Sequence, residues 1–220
     1  MSAFRIALFV CCALMANATL ADAPAGGTIA RQGNGHGVAP CMACHAADGG
    51  GQAAAGFPRL AALPQAYLRK QLDDFANGSR ANATMQPVAS GLTDAERDAV
   101  AAYYSKLAVP HSAPATAPSN PDAQLAQSLA TRGRWSKGMP ACEQCHGPGG
   151  VGVGDHFPPL VGQSALYLSN QLHAWQQGAR RNDPLQLMQT VAGKLSEADI
   201  AAISAWYAAQ PATLTKESQP

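Results

Sequence analysis

Large side chains are scarce in this sequence, and so are charged ones. Aromatic residues make up 6% of the 220-residue chain and Asp, Glu, Lys and Arg together 13%, while Ala, Gly and Pro abound. A small domain so short of apolar bulk struggles to build a stable core unaided, and such domains recruit a metal or another staple. Nor is there a surplus of charge. Setting Arg5 aside with the leader described below leaves 14 basic and 14 acidic residues, seven of each on either side of residue 115. Without a basic stripe or polybasic run, nothing in the charge pattern points to nucleic acid or anionic lipid. Past the N-terminus, no run reaches the roughly 18 unbroken apolar residues a membrane span needs. Alternating runs and hairpin signals of useful length are also missing, which leaves an all-α fold.

Arg5, the apolar stretch Ile6 to Ala16 and the small residues of Ala18-Thr19-Leu20-Ala21 read as an export signal, with cleavage expected after Ala21. A buried N-terminal helix is the alternative. Export implies a periplasmic protein without a span; peripheral association with a membrane stays open. Cys11 and Cys12 leave with the leader, so Cys41, Cys44, Cys142 and Cys145 remain. An even cysteine count in an exported protein ordinarily means disulfides. Their arrangement argues otherwise.

The sequence repeats itself with a period of about 100 residues. Cys41-Met42-Ala43-Cys44-His45 returns as Cys142-Glu143-Gln144-Cys145-His146, and Phe57-Pro58-Arg59-Leu60 as Phe157-Pro158-Pro159-Leu160. Tyr67-Leu68 with Gln71-Leu72 returns as Tyr167-Leu168 with Gln171-Leu172. Gly78, Arg80, Asn82 and Met85 return as Gly178, Arg180, Asn182 and Met188. Four prolines between Val109 and Pro121 favour an extended connector. The expected organisation is therefore a leader (1–21), a first domain (22–108), a linker (109–121) and a second domain (122–220).

Each repeat has a helical pattern. Gln65 to Phe75 and Ser164 to Trp175 carry apolar residues at helical spacing, with Gly78 and Gly178 as stops. Thr93 with Glu96 and Ser196 with Asp199 predict capping boxes for the last helix of each repeat. Asp122 is expected to cap a helix bearing Leu125 and Leu129. Its counterpart around Thr28 to Arg31 is glycine-rich and less clearly helical.

Two cysteines three positions apart present both sulfurs to one edge of a planar ligand, and the adjacent His aims its imidazole at the centre. The pattern suits thioether attachment of haem with His45 and His146 as proximal iron ligands. Zinc shared between the Cys pairs, a redox dithiol and a disulfide between repeats are the competing readings. Zinc requires no His after each pair, and a redox dithiol normally sits in a β-α-β unit.

A second axial ligand follows by elimination. Met1 and Met15 belong to the leader, while Met42 and Met139 lie inside or just before an attachment motif. Met85 and Met188 remain, at equivalent positions. Met/His ligation raises the potential relative to more basic ligand pairs. His36, His111, His156 and His173 are not repeated features, so they are expected at the surface.

These residues resemble the class I cytochromes c, and specifically the dihaem cytochrome c4 family, over almost the whole mature chain. The resemblance implies two covalently bound haems c, with His45 and Met85 on one iron and His146 and Met188 on the other. It further implies that the Pro58 and Pro158 carbonyls accept a hydrogen bond from the ligating His. Arg80 and Arg180 are implied to meet haem propionates, with a solvated surface position as the alternative. Two departures stand out: the glycine-rich segment Gly26 to Gly37, and three extra residues around Asp183-Pro184-Leu185 before Met188. The implied function is one-electron transfer rather than catalysis, from a quinol-oxidising complex or a dehydrogenase to a terminal oxidase. The alternatives are the dihaem subunit of a periplasmic dehydrogenase and, less favoured because two Met-ligated irons leave no open face, a dihaem peroxidase.

Overall fold

The computed structural model describes residues 25–110 and 120–212. The expected leader and His111 lie outside them. Helices α1 (Gly26–Gln32), α2 (Met42–His45), α3 (Gln65–Ala76), α4 (Met85–Ser90) and α5 (Asp94–Lys106) form the first half. They recur in order as α6 (Asn120–Thr131), α7 (Glu143–His146), α8 (Ala165–Gln176), α9 (Leu187–Ala192) and α10 (Glu197–Ala209). Among the described residues the only extended pairing is isolated bridges. None of the helices there is long and apolar enough to cross a membrane.

Local chemistry explains the boundaries. Thr93 Oγ1 accepts the Glu96 N–H at 3.2 Å while the Glu96 carboxylate accepts the Thr93 N–H at 2.8 Å, closing the capping box of α5. Ser196 and Asp199 do the same for α10. Ser164 caps α8 by accepting the Tyr167 N–H at 3.2 Å. Helix α6 starts at Asn120, so Asp122 lies in its first turn and not at the cap. A carboxylate there still complements the helix dipole, and the missing N–H of Pro121 leaves no helical bond unmade. The glycine-rich opening segment is helical over Gly26–Gln32. Gly26 is needed there because a side chain would collide with the Ala99 carbonyl where α1 crosses α5.

Each half has its own core. Ile29, Leu68, Leu92, Val100 and Tyr104 centre the first, and Leu129, Met139, Val161, Ile203 and Tyr207 the second. In both, the first and last helices pack together and the middle long helix lies against the last: α1 and α3 on α5, α6 and α8 on α10. Both cores are small. The polar, two-sided contact between the halves, described next, joins them.

Candidate functional site

Cys41 and Cys142 stand just ahead of the one-turn helices α2 and α7, and His45 and His146 end them. All four motif cysteines are free thiols and half-buried. Burial pushes the Cys41 thiol above its ordinary value and Cys142 up to about 11. A redox dithiol or zinc thiolate needs the opposite shift, and among the described residues no three His, Cys, Asp or Glu side chains gather as a metal would require. The buried hydroxyls of Tyr104 and Tyr207, beside Cys41 and Cys142, have no hydrogen-bond partner among the described residues, and burial keeps them protonated.

Both histidines are buried, and each Nδ1 meets a proline carbonyl: His45 to Pro58 at 3.0 Å and His146 to Pro158 at 2.8 Å. A carbonyl can only accept, so Nδ1 carries the proton. Burial lowers the pKa of both rings despite those bonds, keeping them neutral. A neutral ring protonated at Nδ1 leaves the Nε2 lone pair available to a metal, and the carbonyl fixes the ring's orientation. The loop behind each ring is tied back as well. Gly51 N–H donates to the His45 carbonyl at 3.0 Å and Gly152 N–H to that of His146 at 2.7 Å.

Met85 is the first residue of α4 and Met188 the second of α9, both half-buried. Asn82 Oδ1 accepts the Thr84 and Met85 N–H groups, fixing the start of α4. Ahead of α9, where the three extra residues around Asp183-Pro184-Leu185 fall, Pro184–Gln186 form a short turn in which Leu185 and Gln186 have φ of 61° and 55°. The two methionine loops thus differ in backbone shape. Met139 is fully buried in the second core, His36 and His156 are exposed, and His173 is half-exposed beside Glu197.

Arg80 and Arg180 are not solvated: they are 6% and 5% exposed and meet at the boundary between the halves as an antiparallel bridge. Arg80 stacks on Phe75 at 4.4 Å and Arg180 on Trp175 at 3.9 Å. Each guanidinium also crosses the boundary. Arg80 reaches Tyr167 and Gln171 at 2.8 and 2.6 Å, and Arg180 reaches Tyr67 and Gln71 at 3.4 and 3.0 Å. Arg59, 3% exposed, is a third cation here, held by the carbonyls of Ala61, Val161 and Gly162. Among the described residues none of these three guanidiniums forms an ion pair. Asp74, the buried acid of this region, bonds instead to Lys70 and Asn182. Buried cations need compensating charge. Free thiols beside neutral, oriented imidazoles, with buried guanidiniums that form no ion pair, together fit a planar apolar group that bears carboxylates, as haem does.

The sequence pattern located both attachment motifs, both histidines and the repeated methionines. It did not find Arg59 or Gln163, nor the polar role of Tyr67, Gln71, Tyr167 and Gln171, which it treated as helix pattern. The available signal was a Gln repeated four residues after a Tyr on an otherwise apolar helix face.

Two family models divide the chain between them. One described as "Cytochrome c" matches residues 31–108, and one described as "Cytochrome C oxidase, cbb3-type, subunit III" matches residues 129–206. The thiosulfate dehydrogenase electron acceptor of Thiomonas intermedia is 52% identical over 181 residues, covering 82% of this chain and 83% of the relative. Cytochrome c4 of Pseudomonas aeruginosa is 40% identical over 173 residues, covering 77% and 83%. Among solved structures, the thiosulfate dehydrogenase TsdBA of Marichromatium purpuratum superposes with a TM-score of 0.80 at 44% identity. That match spans 89% of this chain but only 43% of that one. Reduced recombinant cytochrome c4 from Pseudomonas stutzeri gives 0.69 at 36% identity, covering 77% and 92%.

Proposed function

The chain belongs to the dihaem cytochrome c4 family, and from that premise we propose that it is the periplasmic electron acceptor of a thiosulfate-oxidising dehydrogenase, passing electrons on toward a terminal oxidase. As in that family, it transfers electrons rather than catalysing a reaction, and it holds two covalently attached haems c. The observation that carries the reading is the paired His–Pro contact, 3.0 Å in one half and 2.8 Å in the other. Two equivalent imidazoles, each with Nδ1 held by a carbonyl and Nε2 left for iron, would make two redox centres. The choice of donor rests on the 52% identity to an acceptor named for that dehydrogenase.

When bound, each haem supplies an iron that cycles between ferric and ferrous and so takes up one electron. The chain's own residues hold it. Cys41 and Cys44, and Cys142 and Cys145, would form the thioether links; His45 and Met85 would ligate one iron, His146 and Met188 the other. The Pro58 and Pro158 carbonyls keep each Nδ1 protonated and the ring oriented, which raises the basicity of Nε2. Thioether ligation from Met85 and Met188 keeps both potentials high enough to accept electrons from a dehydrogenase. Arg80 and Arg180, buried at the boundary, would offer positive charge to the propionates of the two haems. Residues 1–21 are the export leader, 22–108 and 122–220 the two domains, and 109–121 the linker between them.

The test mixes the purified dihaem protein with a thiosulfate dehydrogenase and thiosulfate. Reduction of both haems in the absorption spectrum, abolished by omitting the enzyme, is expected. No reduction by the enzyme, alongside prompt reduction by a quinol-oxidising complex, would reassign the protein as a general carrier.

A further inference from the structure

Arg59 stands at a place where the repeats differ. Its counterpart is Pro159, and the residue it meets, Gln163, has Leu63 as its counterpart. The Arg59 N–H donates to Gln163 Oε1 at 3.0 Å and Gln163 Nε2 donates back to the Arg59 carbonyl at 2.8 Å. A side-chain amide thus clasps a backbone as a neighbouring strand would. Beyond the clasp, the guanidinium donates to the carbonyl of Ala61 from one nitrogen, to that of Val161 at 3.0 Å from another, and through Nε to Gly162 at 3.3 Å.

Ala61 and Val161 are the same position in the two repeats, each following the Leu of a Pro-x-Leu segment. A single guanidinium bonded to both equivalent carbonyls sits between the two Pro-x-Leu segments and ties them together. A second Arg at position 159 would bring two buried cations together. Pro159, which carries no charge, removes that conflict. Burial lowers the Arg59 pKa to about 10, so the group remains charged at neutral pH.

We propose that Arg59 is a positioning residue shared by both redox centres: one buried cation, bonded to the equivalent carbonyl of each half, that raises the two reduction potentials together while fixing the spacing of the two Pro-x-Leu segments. The inference rests on the ligation by His45 and His146 given above. Reduction lowers the positive charge at an iron by one unit, so a fixed cation in a poorly screened interior favours the reduced form. A cation bonded to the equivalent carbonyl of each half would act on both irons.

The experiment is a spectroelectrochemical titration of the full holoprotein in four forms: wild type, Arg59→Met, Arg59→Lys and Gln163→Leu. In Arg59→Met both potentials fall together, each reduction equilibrium shifting by roughly three- to tenfold. Arg59→Lys keeps the charge and most of both potentials but loses the fork, so its thermal midpoint drops. Gln163→Leu breaks the clasp with the charge intact; it melts earlier with potentials unmoved. If Arg59→Met does not accumulate, Arg59→Gln carries the same expectation. Unchanged potentials in the neutral variant, or a shift in one haem alone, would overturn the proposal. Wild-type spectra without His/Met ligation would sink the ligation reading instead, and the two failures are thereby told apart.

Discussion

Arg80 and Arg180 bridge the halves backbone to backbone, with the Ala81 N–H donating to Ala179 O and the Arg181 N–H to Ser79 O, both at 2.8 Å. Two like charges are adjacent there because each is shared between the same two acceptors. Gln71 Oε1 accepts from Arg80 and Arg180 at 3.0 Å each, and Gln171 Oε1 accepts from Arg180 at 3.0 Å and from Arg80 at 2.6 Å. Stacking on Phe75 and Trp175 spreads the charge over ring faces.

Gln71→Leu removes the acceptor from two buried guanidiniums and from Asn182. Leaving buried polar groups unsatisfied costs about 1–3 kcal/mol each, more for charged ones. The expected result is a loss of about 2–4 kcal/mol and separation of a single unfolding transition into two, measured by calorimetry. An unaltered single transition would show that the halves are joined by other contacts.

Met85→Ala and Met188→Ala each remove one thioether ligand. Each variant should lose about half of the long-wavelength Met-to-iron absorption and lower one potential while sparing the other. Because Leu185 and Gln186 give the second loop a left-handed backbone, the two wild-type potentials should also differ. Full retention of the band in Met188→Ala would remove Met188 from the ligand set.

Arg134 holds Asp199 through two bonds of 2.7 and 2.6 Å, and the Asp199 side chain is 3% exposed. The guanidinium, with the Ser196 cap, holds this carboxyl well below its ordinary value of 3.8. A depressed acid stabilises the fold fully above its unfolded-state pKa, and the contribution fades as pH falls toward the folded-state value. Asp199→Asn keeps an acceptor for the cap but loses the charge. It should cost about 2 kcal/mol at neutral pH, with the gap to wild type closing below about pH 4 in acid unfolding curves.

Gly152 has φ of 90°, and a side chain there would come within 2.8 Å of the Pro159 ring and 3.0 Å of the Phe157 carbonyl. Gly152→Ala should therefore displace the Pro158 segment that orients His146, costing about 2–3 kcal/mol and broadening the signal of the second haem alone. Gly149→Ala has a positive φ but open space around it, so about 1 kcal/mol and no spectral change are expected. Equal effects of the two substitutions would mean that crowding against Pro159 is unimportant.

Much of this protein is written locally. The two attachment motifs, the capping boxes at Thr93 and Ser196 and the helices over Gln65–Ala76 and Ala165–Gln176 follow from spacings of three or four residues, which the chain satisfies wherever it lies in space. The repeat then pairs His45 with His146 and Met85 with Met188 by position alone. Arg80 and Arg180 were visible as repeated residues, but whether they faced water or each other depends on how one half docks on the other. Arg59 and Gln163 lie 104 residues apart and break the repeat, so no periodicity links them. Only the docked halves make a backbone clasp of an amide and place a single cation between two equivalent carbonyls, because hydrogen bonds across an interface depend on its geometry rather than on the order of residues.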